Sequence, residues 1–395
     1  MHSLEKQDTE ETAHVSRVGG VTLLFKKSIE QVAILLDQGV DENDLGQPMF
    51  TDKRYIARGF DPGNFHPFDM AKGEKDGRMS YVDGGNLEIL RAPNLSVSLV
   101  RTYYNIFDRN GTRVRPKTVP ERMEFFVVAY SRMHDGDLMY SALLVPLADS
   151  YEPYLPTGGH LQVDSMDRAI APAGTRADIS VMGSLTRRFS EWLLAYHVMD
   201  KELEAGDMLV RDGTLQTAMM NEMYYAGTTF AKAKDRGVLL TALAKTSTLF
   251  TTTGHPLIAA VDRLSEDNGL GERCWFYHPV VENNHPAHQA EIFVCRLHER
   301  SNFVFRFEVF RDQASNMPQA EIARVFERLA RNSTDLTFLG YPYGLVDADM
   351  NARVHVNERD LLFALCRAEL MRAGIWDKVS RCMSATSAHD VLDSI

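Results

Sequence analysis

Cysteine is scarce in this chain. Cys274, Cys295, Cys366 and Cys382 are the whole complement of 395 residues, and no two stand in CxxC spacing. That pattern argues against a disulfide framework and against the common structural zinc sites. Long hydrophobic runs are missing as well: no apolar stretch approaches the roughly 18 residues that span a bilayer, so no membrane segment is expected. The opening MHSLEKQDTEET is polar and acidic and lacks the apolar centre of a signal peptide. A cytoplasmic protein with reduced thiols is the natural expectation. Positive charge is not in excess either. With a net charge of −11, the chain as a whole repels phosphates, and any contact with nucleic acid must rest on a local field. There is no internal repeat and no low-complexity segment.

What is present is ordinary soluble composition, 44% hydrophobic and 25% charged, in a chain long enough for a large core. Residues 1–15 read as a disordered acidic tail. Residues 16–79 read as an N-terminal helix and a long connection. The helix, at 21–37, carries Leu24, Ile29, Val32 and Leu35 or Leu36 near helical spacing; its apolar face suits packing on the chain's own core or docking to a partner. From 80 to 147 the alternation of Leu95, Val97 and Leu99, then FFVVAYS and YSALLVPL, predicts antiparallel strands. Residues 148–180 carry no clear period and read as loop.

Beyond that point helices and strands alternate. Leu185, Phe189, Trp192, Leu193 and Tyr196 share one face of a helix over 185–200. MLVRD reads as a strand, GTLQTAMMNEMYYA as a helix, VLLTALAK as a strand, and EIFVCRLH with NFVFRFEVF as a hairpin. Residues 318–331 read as a helix, LTFLGYPYG as a strand with a turn, and a last helix ends before Gly374. Residues 376–395 read as a tail. A meander followed by helix crossovers predicts an α/β fold, a ribonuclease H-like mixed sheet with flanking helices and additional β elaborations.

The chemistry concentrates in carboxylates. In SYVDGGNLEIL, Asp83 follows a short apolar strand and precedes Gly84 and Gly85, whose lack of side chains leaves room for a metal ion and a phosphate. Asp212 in MLVRDGTLQT stands in the same Asp-Gly setting. Either pair alone also suits an ordinary turn. Glu191 lies off the apolar face of its helix beside Arg187 and Arg188, as a third acid or as a surface ion pair with Arg187. Together Asp83, Glu191 and Asp212 would suit two divalent ions, magnesium or manganese, for phosphodiester cleavage. The stretch 101–122 holds six basic residues against two acidic ones. Arg101, Tyr103, Arg109, Arg113, Arg115 and Lys117 there combine charge and aromatic surface, the recipe for gripping single strands; a solvated basic hairpin is the plainer alternative. Arg306 and Glu308 share one strand face, as an ion pair or a phosphate contact. His278, His285 and His288 match no metal motif and read as a solvated loop.

The chain resembles the NurA nucleases from about residue 75 to 375. The likeness rests on VDGG at 82–85, the Arg-rich helix with Glu191, LVRDGTL at 209–215, AKTS at 244–247, FRFEV at 305–309 and GYPYGLVDAD at 340–349, all in family order. It implies a ribonuclease H-like core and a manganese-dependent nuclease acting on DNA ends and single strands. It further implies a homodimer working with a HerA-type hexameric ATPase in DNA-end processing or phage defence. Asp83, Glu191 and Asp212 fall on the family's metal-binding acids, Tyr341 on the tyrosine of its Gly-Tyr-Pro motif, and Lys245 where the family tends to carry lysine. The resemblance departs at Asp349, where the family usually has histidine. That residue can bind a divalent ion as a hard ligand, or Asp347 or His355 can take the role, or the chain is a weakened subunit that binds and regulates a ring ATPase.

Overall fold

The computed structural model describes residues 24–35, 44–70 and 77–383; the acidic tail expected at 1–15 lies outside them. Residues 24–35 form helix α1. Its apolar side chains Leu24, Phe25, Ile29, Val32 and Leu35 are exposed, so packing on the chain's own core is not how that stripe is covered among the described residues. The connection that follows carries strands β1 (Pro48–Met49), β2 (Tyr55–Ala57) and β3 (Phe65–Phe68).

A meander then runs through β4 (Met79–Ala92), β5 (Leu95–Phe107), β6 (Arg122–His134) and β7 (Asp137–Pro146), closed at the edge by β8 (Gln162–Asp164). Helix α2 (Val181–Lys201) crosses to β9 (Met208–Asp212), and α3 (Glu222–Arg236) crosses to β10 (Leu239–Ala244). Next come β11 (Phe250–Thr251), α4 (Leu257–Asp267), β12 (Cys274–Tyr277), β13 (Val281–Asn283), β14 (Ala290–Arg296), β15 (Phe305–Phe310) and α5 (Arg311–Ala314). Helices α6 (Gln319–Arg331), α7 (Tyr343–Ala352), α8 (Val356–Arg372) and α9 (Trp376–Met383) complete the described chain.

Eleven strands make one sheet in the order β3-β12-β14-β15-β10-β9-β4-β5-β6-β7-β8. Only the pairs β4–β9 and β9–β10 are parallel. The meander and its two helix crossovers are the predicted mixed sheet. Its faces are covered unequally. Phe189 and Trp192 of α2 pack with Val82 and Leu209 on one face, while Leu345 of α7 and Phe326 of α6 pack with Tyr81, Val210 and Phe307 on the other. Each such side chain, fully buried, contributes about 1.5–3 kcal/mol.

Three local expectations fail for identifiable reasons. The helix expected from Gly213 begins only at Glu222, whose carboxylate accepts the backbone N–H groups of Ala218 and Met219 and holds 213–221 as a loop. LTFLGYPYG is not a strand: Gly340 takes a φ of 88°, and Gly340 N–H donates to Ser333, Tyr341 N–H to Phe338, which turns the backbone away from any ladder. The tail expected from 376 opens with helix α9. Among the described residues no helix is long and apolar enough to cross a membrane.

Candidate metal centre

Strand register brings the first two acids together. β4 runs parallel to β9 with Met79 to Val82 opposite Met208 to Arg211, so Asp83 and Asp212 occupy the next position on neighbouring strands. Asp212 does end its strand. Asp83 does not; it lies inside the 14-residue β4, and what ends beside it is β9. Alternation along β4 sends Tyr81 and Asp83 to the α7 face and Val82 to the α2 face. Helix α7 lies close on that first face. Asn105 Nδ2 donates to the Gly344 carbonyl at 2.7 Å, and a Cβ on Gly344 would stand 2.0 Å from the Tyr81 ring. Asp349, one and a half turns along α7, thereby joins the pair. One oxygen from each of Asp83, Asp212 and Asp349 lies within 4.8 Å of the others. Three hard oxygen donors at that spacing can hold a divalent ion of the magnesium or manganese type.

Charge is poorly balanced within the cluster. Burial, then the neighbouring Asp212 and Glu191, push the Asp83 carboxyl up to about 8. Lys245 follows β10 and bridges the other two acids, its ammonium 2.9 Å from Asp212 and 2.7 Å from Asp349. Burial would discharge this lysine, but those carboxylates outweigh it and hold its affinity for a proton above the usual range. Asp349 is pulled the opposite way. Burial opposes its ionisation, yet Lys245 and then Arg353, one turn along in the chain, keep it below the ordinary carboxylate range. Tyr341 is buried beside the site, and burial followed by Asp212, Asp83 and Asp349 keeps its phenol protonated.

Glu191, expected as a ligand, is engaged in this structure by two arginines and not by the aspartate cluster. It is 2% exposed, with Oε1 ion-paired to Arg187 and Oε2 to Arg211 at 2.5 Å. It approaches from the α2 face, whereas Asp83 projects to the α7 face. The Arg187 pair foreseen on the surface is therefore buried, and Glu191 holds two arginines in place. The glycines are also corrected. A Cβ on Gly84 would meet Glu191 Oε1 at 2.7 Å, and one on Gly85 would meet the Ala352 carbonyl at 2.3 Å. Their space admits α2 and α7 rather than a ligand alone.

Neither alternative to Asp349 belongs to the aspartate cluster. Asp347 accepts from Asn105 at 2.8 Å and from the Tyr103 hydroxyl at 3.1 Å, and His355 precedes α8 with its N–H held by Glu358.

The basic stretch divides. Arg101 is 4% exposed and its guanidinium pairs with Glu124 at 2.6 Å and Glu358 at 2.7 Å; Tyr103 is buried against α7. Neither can face a strand, because β5 is covered on both sides. Arg109, Arg113, Arg115 and Lys117 are exposed, although Arg113 pairs with Glu121 at 2.6 Å. Arg109 lies near Gly77 and Met79, at the other end of the parallel strands from the acids.

Arg211 escaped the sequence reading. It stacks 4.5 Å over the Trp192 ring; its place one residue before Asp212 was the signal, since alternation turns it toward α2, where Glu191 is the central acid. His288 is not solvated. It is 1% exposed, accepts or donates to Tyr55 Oη through Nδ1 at 2.9 Å, and meets Glu308 through Nε2 at 3.1 Å. Arg306 and Glu308 form the ion pair, at 2.6 Å, and Glu308 accepts the Leu215 N–H at 2.7 Å. The loop carrying Asp212 is thus anchored three residues on.

Comparison with known proteins agrees with the sequence likeness. No curated protein matches the chain. A crystal structure of NurA aligns over 89% of this chain and 97% of its own, at 9% identity and a TM-score of 0.39. An Argonaute of Aquifex aeolicus (8% identity, TM-score 0.26, 71% of this chain and 28% of that one) and Drosophila Piwi (8%, 0.27, 71% and 30%) are more distant. The NurA domain matches residues 79–354, a span that opens at β4, closes just past α7 and contains all three aspartates. The chain belongs to the NurA family.

Proposed function

We propose that this protein is a divalent-metal-dependent nuclease that hydrolyses phosphodiesters in DNA ends or single strands. The observation that carries the reading is the meeting of Asp83, Asp212 and Asp349 within 4.8 Å, with Lys245 bridging two of them. The donor set, all carboxylate, suits manganese or magnesium. A divalent cation held by these acids supplies Lewis acidity to phosphodiester hydrolysis. The three aspartates make a site for one ion; the two-ion scheme also needs Glu191, which would have to leave its arginines. Around the acids, Lys245 keeps its proton and is placed to hold the scissile phosphate or balance its developing charge. Arg187 and Arg353 line the same depression and can orient a phosphate, and Tyr341, its phenol kept protonated, can donate a hydrogen bond. Arg109, Arg115 and Lys117 are left as remoter phosphate contacts.

The alternative, a weakened subunit that regulates a ring ATPase, draws on the missing histidine. Asp349 stands in that position within ligand range, which favours the nuclease. Partnership with a HerA-type ATPase, a homodimeric state and a role in end processing or phage defence belong to the same proposal; the net charge of −11 supports delivery of DNA by a separate motor.

The test is cleavage of labelled single- and double-stranded DNA with manganese, with magnesium and with chelator, by the native protein, Asp83→Asn and Asp212→Asn. Both variants should lose cleavage. Manganese at a hundred times its dissociation constant should stabilise the native fold by about 2.7 kcal/mol and either variant far less. Cleavage by Asp212→Asn at the native rate, with equal stabilisation by manganese, would remove Asp212 from the site.

A further inference from the structure

The end of the sheet away from the acids carries a basic groove. Strands β4, β9 and β10 all begin there, with Met79 beside Met208 and Met208 beside Leu239, and β5 ends there with Phe107 opposite Met79. Helix α6 reaches these ends through Arg328, whose guanidinium donates to the carbonyls of Gly206 at 3.2 Å and Arg78 at 3.1 Å. Arg324 precedes Arg328 by one turn, so the two share a helix flank about 6 Å apart along the axis. Arg109 joins them from the turn that follows β5. A depression of about 790 Å³ is walled by these three arginines, and an adjoining one of about 390 Å³ shares Arg109 and Arg328 with it. Neither shares a residue with the depression at the aspartates, and Met79 lies ~13 Å along β4 from Asp83.

Charge in this groove is not balanced. Arg328 is 8% exposed, its acceptors are neutral carbonyls, its Nε is buried without a partner, and among the described residues no carboxylate pairs with it. Burial lowers its hold on a proton, with Asp207 opposing, yet a guanidinium stays charged. Asp207 is itself engaged by Arg78 at 2.8 Å. Arg109 and Arg324 are exposed and make no ion pair among the described residues. On the acidic side, Asp108 is tied into its own turn, accepting the N–H groups of Asn110 at 2.9 Å and Thr112 at 2.8 Å. That leaves Glu321 as the one exposed carboxylate on the wall among the described residues. A chain of net charge −11 thus turns positive locally. The wall is also fixed in place: Gln313 accepts the Leu240 N–H at 3.0 Å and donates to the Val238 carbonyl at 2.7 Å. From this we propose that the groove is a second phosphate site, independent of the metal centre, taking the phosphates of a strand backbone or of a free nucleotide. Guanidinium forks match phosphate oxygens, and an anion lodged there supplies the counter-charge that buried Arg328 lacks. The inference does not rest on the nuclease reading, since none of the three aspartates takes part.

The experiment uses the full chain with chelator, so that binding is read without cleavage. Pyrophosphate is titrated by calorimetry, and a short labelled oligothymidine by fluorescence anisotropy over a range of salt. The native protein should bind at least one of them. Arg109→Gln and Arg324→Gln, both at exposed positions, should each weaken that binding about 10-fold or more, the worth of one hydrogen bond to a charged group, while unfolding at the native temperature. Each should also lower the slope of log affinity against log salt for the strand by about 0.7. Arg132→Gln, an exposed arginine on β6 outside the groove, is the control for loss of charge alone and should bind as the native protein does. Binding of the strand alone assigns the groove to a backbone; binding of pyrophosphate alone assigns it to free phosphates; competition between them assigns it to both. No binding of either probe by the native protein, or Arg109→Gln and Arg324→Gln variants that bind as well as Arg132→Gln, overturns the inference.

Discussion

Replacing Glu308 with glutamine tests the frame that holds Asp212. Glu308 is fully buried, and its two oxygens accept from Arg306 Nε at 2.8 Å and Nη2 at 2.6 Å, from Leu215 N–H at 2.7 Å and from His288 at 3.1 Å. Glutamine has the same shape but one oxygen, so its NH2 must face a donor, and the buried Arg306 loses its counter-charge. Removing one member of a buried pair costs roughly 3–5 kcal/mol. A second route gives a similar figure. Burial would raise this carboxyl, but Arg306 and then His288 outweigh it and hold it near 2, against 4.5 ordinarily; at about 1.36 kcal/mol per pH unit that is about 3 kcal/mol. The sign follows from the direction. A depressed native value gives stability that is complete above pH 4.5 and is lost as pH falls through about 2. Urea unfolding followed by tryptophan fluorescence, with Trp192 and Trp275 both buried, should show Glu308→Gln about 3 kcal/mol less stable at pH 7, with the gap narrowing between pH 4.5 and 2. A variant within ~0.5 kcal/mol of native at pH 7, or a gap that ignores pH, would refute the reasoning. Cleavage should fall too, because Leu215 anchors the loop that begins at Asp212.

Asp349→Ala should lower cleavage and raise the manganese concentration required, whereas Asp349→His should retain or increase activity; unchanged values for Asp349→Ala would dismiss it as a ligand. Gly85→Ala places a Cβ 2.3 Å from the Ala352 carbonyl, a contact with backbone that cannot swing aside, so it should cost about 1–3 kcal/mol and displace Asp349; native stability by denaturant melt would contradict that. On the proposed partnership, mass measurement should find a dimer, and cleavage should accelerate when a HerA-type ring ATPase and ATP are added. A monomer equally active without the motor would dismiss the partnership and leave the metal centre standing.

How far the sequence could be read depended on how local each signal was. Asp83 and Asp212 were legible because each sits beside glycine after an apolar run. The helix with Trp192 was legible from its period, and the structure extends it to Val181–Lys201. Asp349 could be singled out only through resemblance, since nothing near GYPYGLVDAD says that its helix lies over β4. Glu191 was placed on the correct flank of its helix, yet its partners depend on which sheet face the flank meets. Arg101 and Tyr103 misled because composition is blind to orientation: β5 is buried on both faces, so its charges serve Glu124 and Glu358. His288 was hidden for the same reason, its partners lying 233 residues upstream in Tyr55 and 20 residues downstream in Glu308.

The three aspartates enter the chain at positions 83, 212 and 349, and each pair is joined only by long-range packing. β4 meets β9 across more than a hundred residues, and α7 settles on β4 and β5 from beyond the last strand. Contacts between such distant segments carry the largest loop-closure cost and form late. During synthesis, a growing chain that has already made its whole sheet still lacks Asp349 until α7 leaves the ribosome and docks. A partial product, or one that has lost its last helices to proteolysis, therefore holds at most two of the acids. On the nuclease reading proposed above, an incomplete fold has no complete metal centre.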